Sequence, residues 1–472
     1  MNNIIGRTEE IRRLTDYMES DKAEFIVVYG RRRVGKTFLI KQFFNEQFTF
    51  YFSGAENATK AEQLFNFAVA LNEYSDKRYP LIDNWQKAFV QLKEYLQGVK
   101  TGGKKVIFID ELPWLDNQKS GFLSAFEYWW NTYASSKKDI FLVVCGSATS
   151  WIMNKIIKNR GGLHNRITRQ IFLQPFTLNE TEQFLRAKKI AVTRSQIAEY
   201  YMIMGGIPYY LEQLEKQYSL SQNIDNLFFK KTGMLREEYS KLYHSLFKYP
   251  EKYMQIIETL AQKRKGLLRD EVAKYSGISN GGGLTDILEE LELCGFIAVN
   301  DNFATNKKNK IYQLTDFYSL FYLHFVKGKK GTNSNYWSTL TDNTSHKAWA
   351  GFSFELLCQS HIEQIKQSLS IGGVVSYISG WRSKEAKNGA QIDLIIDRND
   401  NVVNLCEMKF SNKEYTINKD YDRILQNKKW TFAEETQTKK ALHTTMITTY
   451  GVKHNEYWNN IQSEVKMDDL FR

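Results

Sequence analysis

The chain has 472 residues, of which 42% are hydrophobic, and its 64 Lys and Arg residues exceed its 53 Asp and Glu residues to give a net charge of +11. This length predicts two to four domains, each with a core of its own. No uninterrupted apolar stretch is long enough to cross a bilayer, so the sequence excludes a membrane-spanning protein. The positive charge favours a polyanionic partner such as nucleic acid, although a basic chain without such a partner is the alternative.

The four cysteines are scattered through apolar segments without paired spacing, at Cys145, Cys294, Cys358 and Cys406. Such cysteines are typical of reduced core residues and therefore of an intracellular protein. The first ten residues are acidic early and lack an apolar core, so no signal peptide is visible. We therefore expect a cytoplasmic protein.

Residues 30–37, GRRRVGKT, fit the phosphate-loop pattern G-x-x-x-x-G-K-[ST]. They follow an apolar run at 25–29 and precede a helical pattern, so backbone N–H groups and a helix N-terminus would close around phosphate oxygens. A chance glycine turn is the alternative. The residues predicted to bind ATP and its Mg²⁺ here are Gly30, Arg31, Arg32, Arg33, Val34, Gly35, Lys36, Thr37 and Phe38. Lys36 would reach the β- and γ-phosphates, and Thr37 would supply a hydroxyl ligand to Mg²⁺.

Residues 105–111, KVIFIDE, predict a buried parallel strand that ends in two carboxylates, a Walker B strand. Asp110 would hold the Mg²⁺ shell through water, and Glu111 would orient and deprotonate the attacking water. The alternative is that Asp110 only caps the following turn. This pair is typical of the ATPase branch with a strand between its two Walker motifs, and residues 48–52 would provide that strand.

Residues 140–145 form another apolar run, which is followed by Gly146 and Ser147. A polar residue there resembles the sensor of AAA+ enzymes, which reads the γ-phosphate or the lytic water; a helix N-cap is the alternative for Ser147. In the following basic loop, Arg166 is the first candidate for an arginine finger and Arg160 the second, unless the loop is merely solvated. Residues 4–13 resemble the segment that covers adenine in AAA+ ATPases, or else form a plain amphipathic helix.

These motifs and a break at 205–208, GGIP, occur in one order along the chain. Together they resemble the archaeal-type AAA+ ATPase family, which is also common in bacteria. The resemblance implies an ATPase core and helical lid up to about residue 215.

Residues 253–310 contain three helical patterns, a strand-like segment and a basic stretch, and they look like a winged helix-turn-helix. Residues 284–293 would be its recognition helix and 306–310 its wing tip. The helix carries Asp286, Glu289, Glu290 and Glu292, which disfavours a major-groove reader, whereas Lys263, Arg264 and Lys265 favour one. DNA binding and a packing role both stay open. The aromatic residues at 312–325 predict a buried joint rather than a base-stacking platform, and 328–333 has the composition of a linker.

The C-terminal region combines carboxylates and a lysine that hairpin strands would bring together. Asp393 begins one strand pattern, Glu407 and Lys409 share a face of the next, and Glu355 lies among apolar neighbours of a helix. This set resembles the PD-(D/E)xK nuclease superfamily, with Ile392 where that name has proline. The resemblance implies Asp393 and Glu407 as ligands of Mg²⁺ or Mn²⁺, Glu355 as an auxiliary ligand and Lys409 as the electrostatic group. A solvated face of alternating acid and lysine is the alternative.

The predicted fold is a multidomain α/β protein: a P-loop NTPase parallel sheet with a helical lid, a winged-helix middle and a restriction-endonuclease-like C-terminal domain. The predicted boundaries are 1–175, 176–245, 246–330 and 345–472. One hypothesis is an ATPase coupled to DNA binding or cleavage; the other is a nucleotide-gated regulator whose nuclease-like domain binds without cutting. A monomer and a homo-oligomer built through the arginine loop are equally compatible with the sequence.

Overall fold

The computed structural model describes residues 4–117, 119–158, 162–163, 165–263, 266–300, 303, 310–329, 334–340, 343–383 and 390–472. The chain forms two compact units, Met1–Pro175 and Phe176–Arg472. No helix of the described residues is long and apolar enough to span a bilayer. The four-domain division of the sequence remains a prediction.

The first unit contains one parallel sheet with helices around it. Its helices are α1 (Thr8–Met18), α2 (Lys36–Phe43), α3 (Lys60–Tyr74), α4 (Trp85–Gly98), α5 (Phe122–Thr132) and α6 (Thr149–Trp151), the last continuing as a π-helix over Ile152–Ile157. Its strands are β1 (Glu24–Tyr29), β2 (Phe50–Ser53), β3 (Lys105–Asp110), β4 (Ile140–Gly146) and β5 (Arg169–Phe172). Strands β1, β3 and β4 are almost wholly buried because helices cover both sheet faces, which explains their continuous apolar runs.

The strand order is β2-β3-β4-β1-β5, and every neighbouring pair is parallel. The strand expected at 48–52 is present as β2, but it lies at the sheet edge beyond β3. The strand that separates the two Walker strands in space is instead β4. This arrangement places the carboxyl ends of β1, β3 and β4 side by side, where a doubly wound sheet binds its ligand.

The second unit is larger and mixes helices with two sheets. Its helices are α7 (Leu178–Ala187), α8 (Arg194–Met204), α9 (Pro208–Leu211), α10 (Leu220–Ile224), α11 (Glu238–Leu246), α12 (Pro250–Ala261), α13 (Arg269–Ser276), α14 (Gly282–Leu293), α15 (Phe317–Phe321), α16 (Thr344–Ser360), α17 (Ile362–Ser368) and α18 (Lys419–Thr436). Its strands are β6 (Leu267–Leu268), β7 (Ile297–Asn300), β8 (Ile311–Leu314), β9 (Ser376–Arg382), β10 (Gln391–Arg398), β11 (Val402–Lys409), β12 (Ala441–Thr448) and β13 (Ser463–Lys466). The break predicted at 205–208 is observed between α8 and α9.

Helices α12, α13 and α14 pack with the antiparallel sheet β6-β8-β7 in the second unit. We call this group the winged module, and its assignment as a winged helix stays a prediction. Helix α14 buries Leu284, Ile287, Leu288 and Leu291. Its exposed residues include Asp286, Glu289 and Glu292. Of the predicted basic and wing residues, 264–265 and 306–309 lie outside the described residues. The aromatic segment is buried as expected, in α15 and the π-helix Tyr322–Val326.

The C-terminal sheet has the order β13-β12-β11-β10-β9, antiparallel from β9 to β11 and parallel from β11 to β13. A β-bulge interrupts the β9–β10 ladder between Ile392 and Ile395, so that two residues of β10, Asp393 and Leu394, face one residue of β9. The β10–β11 ladder is regular as far as the pair Leu394 and Cys406. A bulge bends its strand and re-aims the side chains within it.

His361, at the junction of α16 and α17, is hydrogen-bonded to the start of helix α7. Its Nε2 accepts a hydrogen bond from the backbone N–H of Leu178 (3.0 Å), so its Nδ1–H donates to the carbonyl of Leu357 (2.9 Å). Burial lowers the pKa of His361 from 6.5 to about 4. The neutral imidazole is therefore the form that joins α7 to the C-terminal helices.

We expect the second unit to lose stability as the pH falls from 6.5 to about 4. In that window the unfolded chain protonates His361 while the folded chain does not, which costs on the order of 3 kcal/mol. Urea unfolding across this range measures the loss, and the non-titrating variant His361→Gln should show a shallower dependence on pH. Equal slopes for the two proteins would contradict this assignment.

Candidate functional site

The loop between β1 and α2 folds tightly around the ammonium group of Lys36. Lys36 Nζ donates to the carbonyl oxygens of Gly30 (3.0 Å) and Arg31 (2.9 Å), and the side chain is buried. Gly30 has φ 142°, and a Cβ there would lie 2.4 Å from the carbonyl oxygen of Leu173. Glycine is therefore required at this turn. The loop, which we call the anion cradle, ends at the N-terminus of α2, where backbone N–H groups favour an anion.

The first acid of β3 meets the hydroxyl that follows Lys36. Thr37 Oγ1 donates to Asp110 Oδ2 (2.8 Å), and Asp110 Oδ1 accepts from the thiol of Cys145 (2.6 Å) and from the N–H of Glu111 (2.9 Å). Burial raises the pKa of Asp110 above its usual value, and the charge of Glu111 raises it further. A cation next to Asp110 would oppose both effects. The hydrogen bond from the N–H of Glu111 fits the alternative in which Asp110 caps the following turn. That bond uses only Oδ1 of Asp110, whereas Oδ2 accepts from Thr37.

The second acid is held by the tip of β4. Glu111 adopts a left-handed backbone conformation, with φ 45° and ψ 47°. Its carboxylate accepts from the hydroxyl of Ser147 (2.6 Å) and from the N–H of Ser147 (3.0 Å). Helix α6 has Ala148 as its N-cap residue, so the alternative in which Ser147 caps that helix is wrong. Glu111, the predicted general base, and Ser147, the predicted sensor, are therefore in direct contact.

The arginines of the loop differ in their surroundings. Arg31 is buried, whereas Arg32 and Arg33 are partly exposed. Arg166 is exposed in the loop before β5, and its role as an arginine finger stays a prediction. The second candidate, Arg160, lies outside the described residues.

Two further residues at this loop have contrasting environments. Phe38 is 53% exposed. Arg7, from the segment before α1, is buried and donates through Nη2 to the carbonyl of Val34 (3.0 Å). This contact ties the segment at residues 4–13 to the loop.

The pair Thr37 and Asp110 suits Mg²⁺ on chemical grounds. Mg²⁺ takes oxygen ligands, keeps several waters and binds through one or two protein groups together with substrate phosphates. A hydroxyl and a carboxylate in direct contact next to the phosphate loop provide such a set. Burial, the largest cause of the raised pKa of Asp110, disfavours its bare charge, and a bound cation would oppose that effect. These residues would hold the ion.

Two of the predicted C-terminal carboxylates, Glu355 and Asp393, lie close together beside the C-terminal sheet. Burial raises the pKa of Glu355 on α16 to about 7, and the nearby charge of Asp393 adds to the shift, so these two acids lie within electrostatic reach. Asp393 sits in the bulge of β10, and its Oδ1 accepts from the side-chain amide of Gln391 (2.5 Å). A cleft of about 400 Å³ is lined by Glu355 and Asp393.

Glu407 is engaged by two residues of helix α18. One oxygen accepts from the ammonium group of Lys428, and the other accepts from the hydroxyl of Tyr421 (3.1 Å). The predicted electrostatic residue, Lys409, lies over the ring of Tyr421, with Nζ 5.1 Å from its centroid. Glu407 thus has a lysine as its cation partner, and no group of three or more His, Cys, Asp or Glu residues in the described ranges is arranged to hold a metal ion.

Tyr421 and Lys428 are not among the site residues that the sequence predicts. They are seven residues apart in α18, so two helical turns place them on one face. The sequence shows this helical spacing, but no local pattern predicts that the two residues contact Glu407, which precedes Lys428 by 21 residues.

The roles of Asp393 and Glu407 as Mn²⁺ ligands stay a prediction. If they bind the ion, Lys428→Met should strengthen Mn²⁺ binding there by about tenfold or more, because it removes a charge-assisted hydrogen bond from Glu407. Mn²⁺ titrations followed by electron paramagnetic resonance measure this, in an Asp110→Asn background that suppresses the first site. Lys429→Met is the matched control and should leave the affinity unchanged. An unaltered dissociation constant in Lys428→Met would show that this lysine does not compete with the ion.

The sheet order, the phosphate loop and the joined acids of the first unit define a P-loop ATPase domain. Residues 4–214 match the model of an ATPase domain found predominantly in Archaea. An uncharacterized protein of Methanocaldococcus jannaschii is 25% identical over 435 residues, which cover 90% of this chain and 92% of that protein. An uncharacterized ATP-binding protein of the same organism is 51% identical over 39 residues, 8% of this chain and 66% of that protein.

Two solved structures are similar to part of this chain. The Walker-type ATPase of Pyrococcus abyssi has a TM-score of 0.47 and 18% identity, covering 68% of this chain and 96% of that one. The ORC2 protein of Aeropyrum pernix has a TM-score of 0.42 and 12% identity, covering 68% of this chain and 94% of that one.

Proposed function

We propose that this protein hydrolyses ATP in the presence of Mg²⁺ and couples the hydrolysis to a nucleic-acid transaction in its second unit. The observation that carries the proposal is the contact of 2.8 Å between Thr37 and Asp110, with Glu111 following directly in the chain. The matched ATPase domain model supports the hydrolytic half. The net charge of +11 supports the nucleic-acid half, with DNA favoured as the substrate.

The residues of the first site would divide the work between them. Lys36, whose ammonium now binds two loop carbonyls, would transfer to phosphate oxygens once they occupy the cradle. Mg²⁺ bound with the nucleotide supplies charge neutralisation at those phosphates. Glu111 would accept a proton from the attacking water, and Ser147 would hold the carboxylate in position.

The hydrolytic half is tested by steady-state ATPase assays with and without Mg²⁺. Lys36→Ala should abolish turnover because it removes the positive charge at the phosphates. Lys22→Ala, an exposed lysine before β1, is the control and should retain wild-type turnover. Equal activity in Lys36→Ala and the wild type would contradict the proposal.

A second candidate is a nucleotide-gated regulator whose nuclease-like domain binds without cutting. The favouring observation is that both oxygens of Glu407 are already engaged by α18. A nuclease assay on single-stranded, duplex and branched DNA, with and without ATP and Mn²⁺, separates the two functions. Cleavage that Asp393→Ala abolishes supports the nuclease, whereas nucleotide-dependent binding without any cleavage supports the regulator.

A further inference from the structure

Two clefts of the second unit meet at Arg382, the last residue of β9. The first is the cleft of about 400 Å³ that contains Glu355 and Asp393. The second, about 430 Å³, is lined by Lys263 and Tyr275 of the winged module. Arg382 lines both clefts, and Asn300 and Gln313 of the winged module line the first cleft together with the acids, so the two clefts are neighbours. We call the surface from Tyr275 through Arg382 to the acids the route.

The surfaces with which a winged helix ordinarily reads duplex DNA are unsuited to it here. The exposed side of α14 carries Asp286, Glu289 and Glu292, which would repel the phosphate backbone. Phe303, a described residue between β7 and β8, contacts the C-terminal sheet and helix α18. The N–H of Phe303 donates to the carbonyl of Gly380 (2.9 Å), and its ring lies 4.9 Å from that of Phe432.

Positive charge and an exposed aromatic ring occur instead on the side of α13. Tyr275 is 51% exposed, and the ammonium groups of Lys263 and Lys274 lie 5.1 and 5.8 Å from its ring centroid. An accessible ring flanked by cations is the combination that binds single strands, because an unpaired base stacks on the ring while the cations contact phosphates. Further along the route, Arg382 and Lys347 add positive charge next to the acids.

We propose that a single strand of nucleic acid binds along this route, from Tyr275 past Arg382 to Glu355 and Asp393. The inference rests on the proposed function and specifies its substrate class. A single strand is favoured over a duplex for two reasons. The ring of Tyr275 can stack only on a base that is unpaired, and each cleft has the volume of a pocket for one small ligand.

Fluorescence anisotropy tests the route with the full chain in Ca²⁺, without Mg²⁺ or Mn²⁺, so that a cation can screen the two acids while binding is measured without cleavage. The probes are an oligothymidylate of about 16 nucleotides, the upper end of the site size of one binding module, and a mixed-sequence duplex of equal length. We expect tighter binding of the single strand. Tyr275→Ala should weaken it by about fivefold or more, while Tyr275→Phe should bind as the wild type does.

Salt dependence separates the phosphate contact from the stacking contact. Arg382→Ala should reduce the slope of log Kd against log salt concentration by about 0.7, the value for one phosphate contact on a single strand. Tyr275→Ala should leave the slope unchanged. Arg423→Ala and Tyr128→Ala, which change exposed residues that line neither cleft, are the matched controls and should behave as the wild type does.

Three outcomes would overturn the route. If Arg382→Ala and Tyr275→Ala both bind the single strand with wild-type affinity, the strand binds elsewhere on the protein and the proposed function stands. Tighter binding of the duplex, increased further by Glu289→Gln, would assign recognition to α14. If the wild-type chain binds neither probe, the nucleic-acid half of the proposed function fails together with the route.

Discussion

Replacing Glu111 by glutamine is expected to lower kcat for ATP hydrolysis by about 10²–10⁴-fold, the usual contribution of a general base. Glutamine keeps the size of the side chain and can still accept a hydrogen bond from Ser147, but it cannot take a proton from water. ATP affinity should stay near the wild-type value because the cradle around Lys36 is untouched. Single-turnover hydrolysis and the binding of a fluorescent ATP analogue measure the two effects separately.

Asp110→Asn is the informative comparison for Glu111→Gln. Asp110 contacts Thr37, so its change should weaken Mg²⁺-dependent nucleotide binding as well as turnover. Unchanged turnover in Glu111→Gln would remove this residue from the chemistry. Loss of binding in Glu111→Gln would instead assign it to nucleotide contact.

Gly30→Ala is expected to destabilise the first unit by about 3 kcal/mol and to abolish nucleotide binding. Alanine at φ 142° is strained, and its Cβ would lie 2.4 Å from the carbonyl oxygen of Leu173 in the backbone next to β5. Either the loop or that segment must shift. Calorimetry with and without Mg-ADP reports the unfolding transition that nucleotide stabilises, and Gly30→Ala should lower its midpoint and remove the ADP effect.

Gly98→Ala is the control for Gly30→Ala. Gly98 ends helix α4, its φ is not positive, and a Cβ there would meet nothing within 4 Å. It should leave the midpoint and the ADP effect within error of the wild type. Similar behaviour of the two variants would show that the turn tolerates a side chain.

The first site was predictable because its chemistry lies in contiguous motifs at the ends of buried strands. Parallel strands bring their carboxyl ends to one edge, so the motifs predict that Lys36, Asp110 and Ser147 lie at the same edge of the sheet. The order of the strands was not predictable in the same way. Which strand separates β1 from β3 depends on tertiary packing, and residues 48–52 carry no local mark of an edge position.

The C-terminal site was predictable only in its residue types. Asp393, Glu407 and Lys409 follow from strand alternation, but the engagement of Glu407 by Lys428 depends on how α18 packs against β11. The attachment of Phe303 to Gly380 likewise joins residues far apart in sequence. Local propensity and periodicity say little about such contacts, because each is determined by the tertiary arrangement of whole elements.

The bulge in β10 allows sequence length to vary close to the acidic site. The register between β10 and β11 runs regularly from Leu394 and Cys406 to Asp397 and Val403, and the irregular ladder faces only the outer strand β9. That outer strand can therefore gain or lose a residue without changing the register of β10 on β11. Among divergent relatives, insertions and deletions should accumulate along β9 while the spacing between Asp393 and Glu407 stays constant.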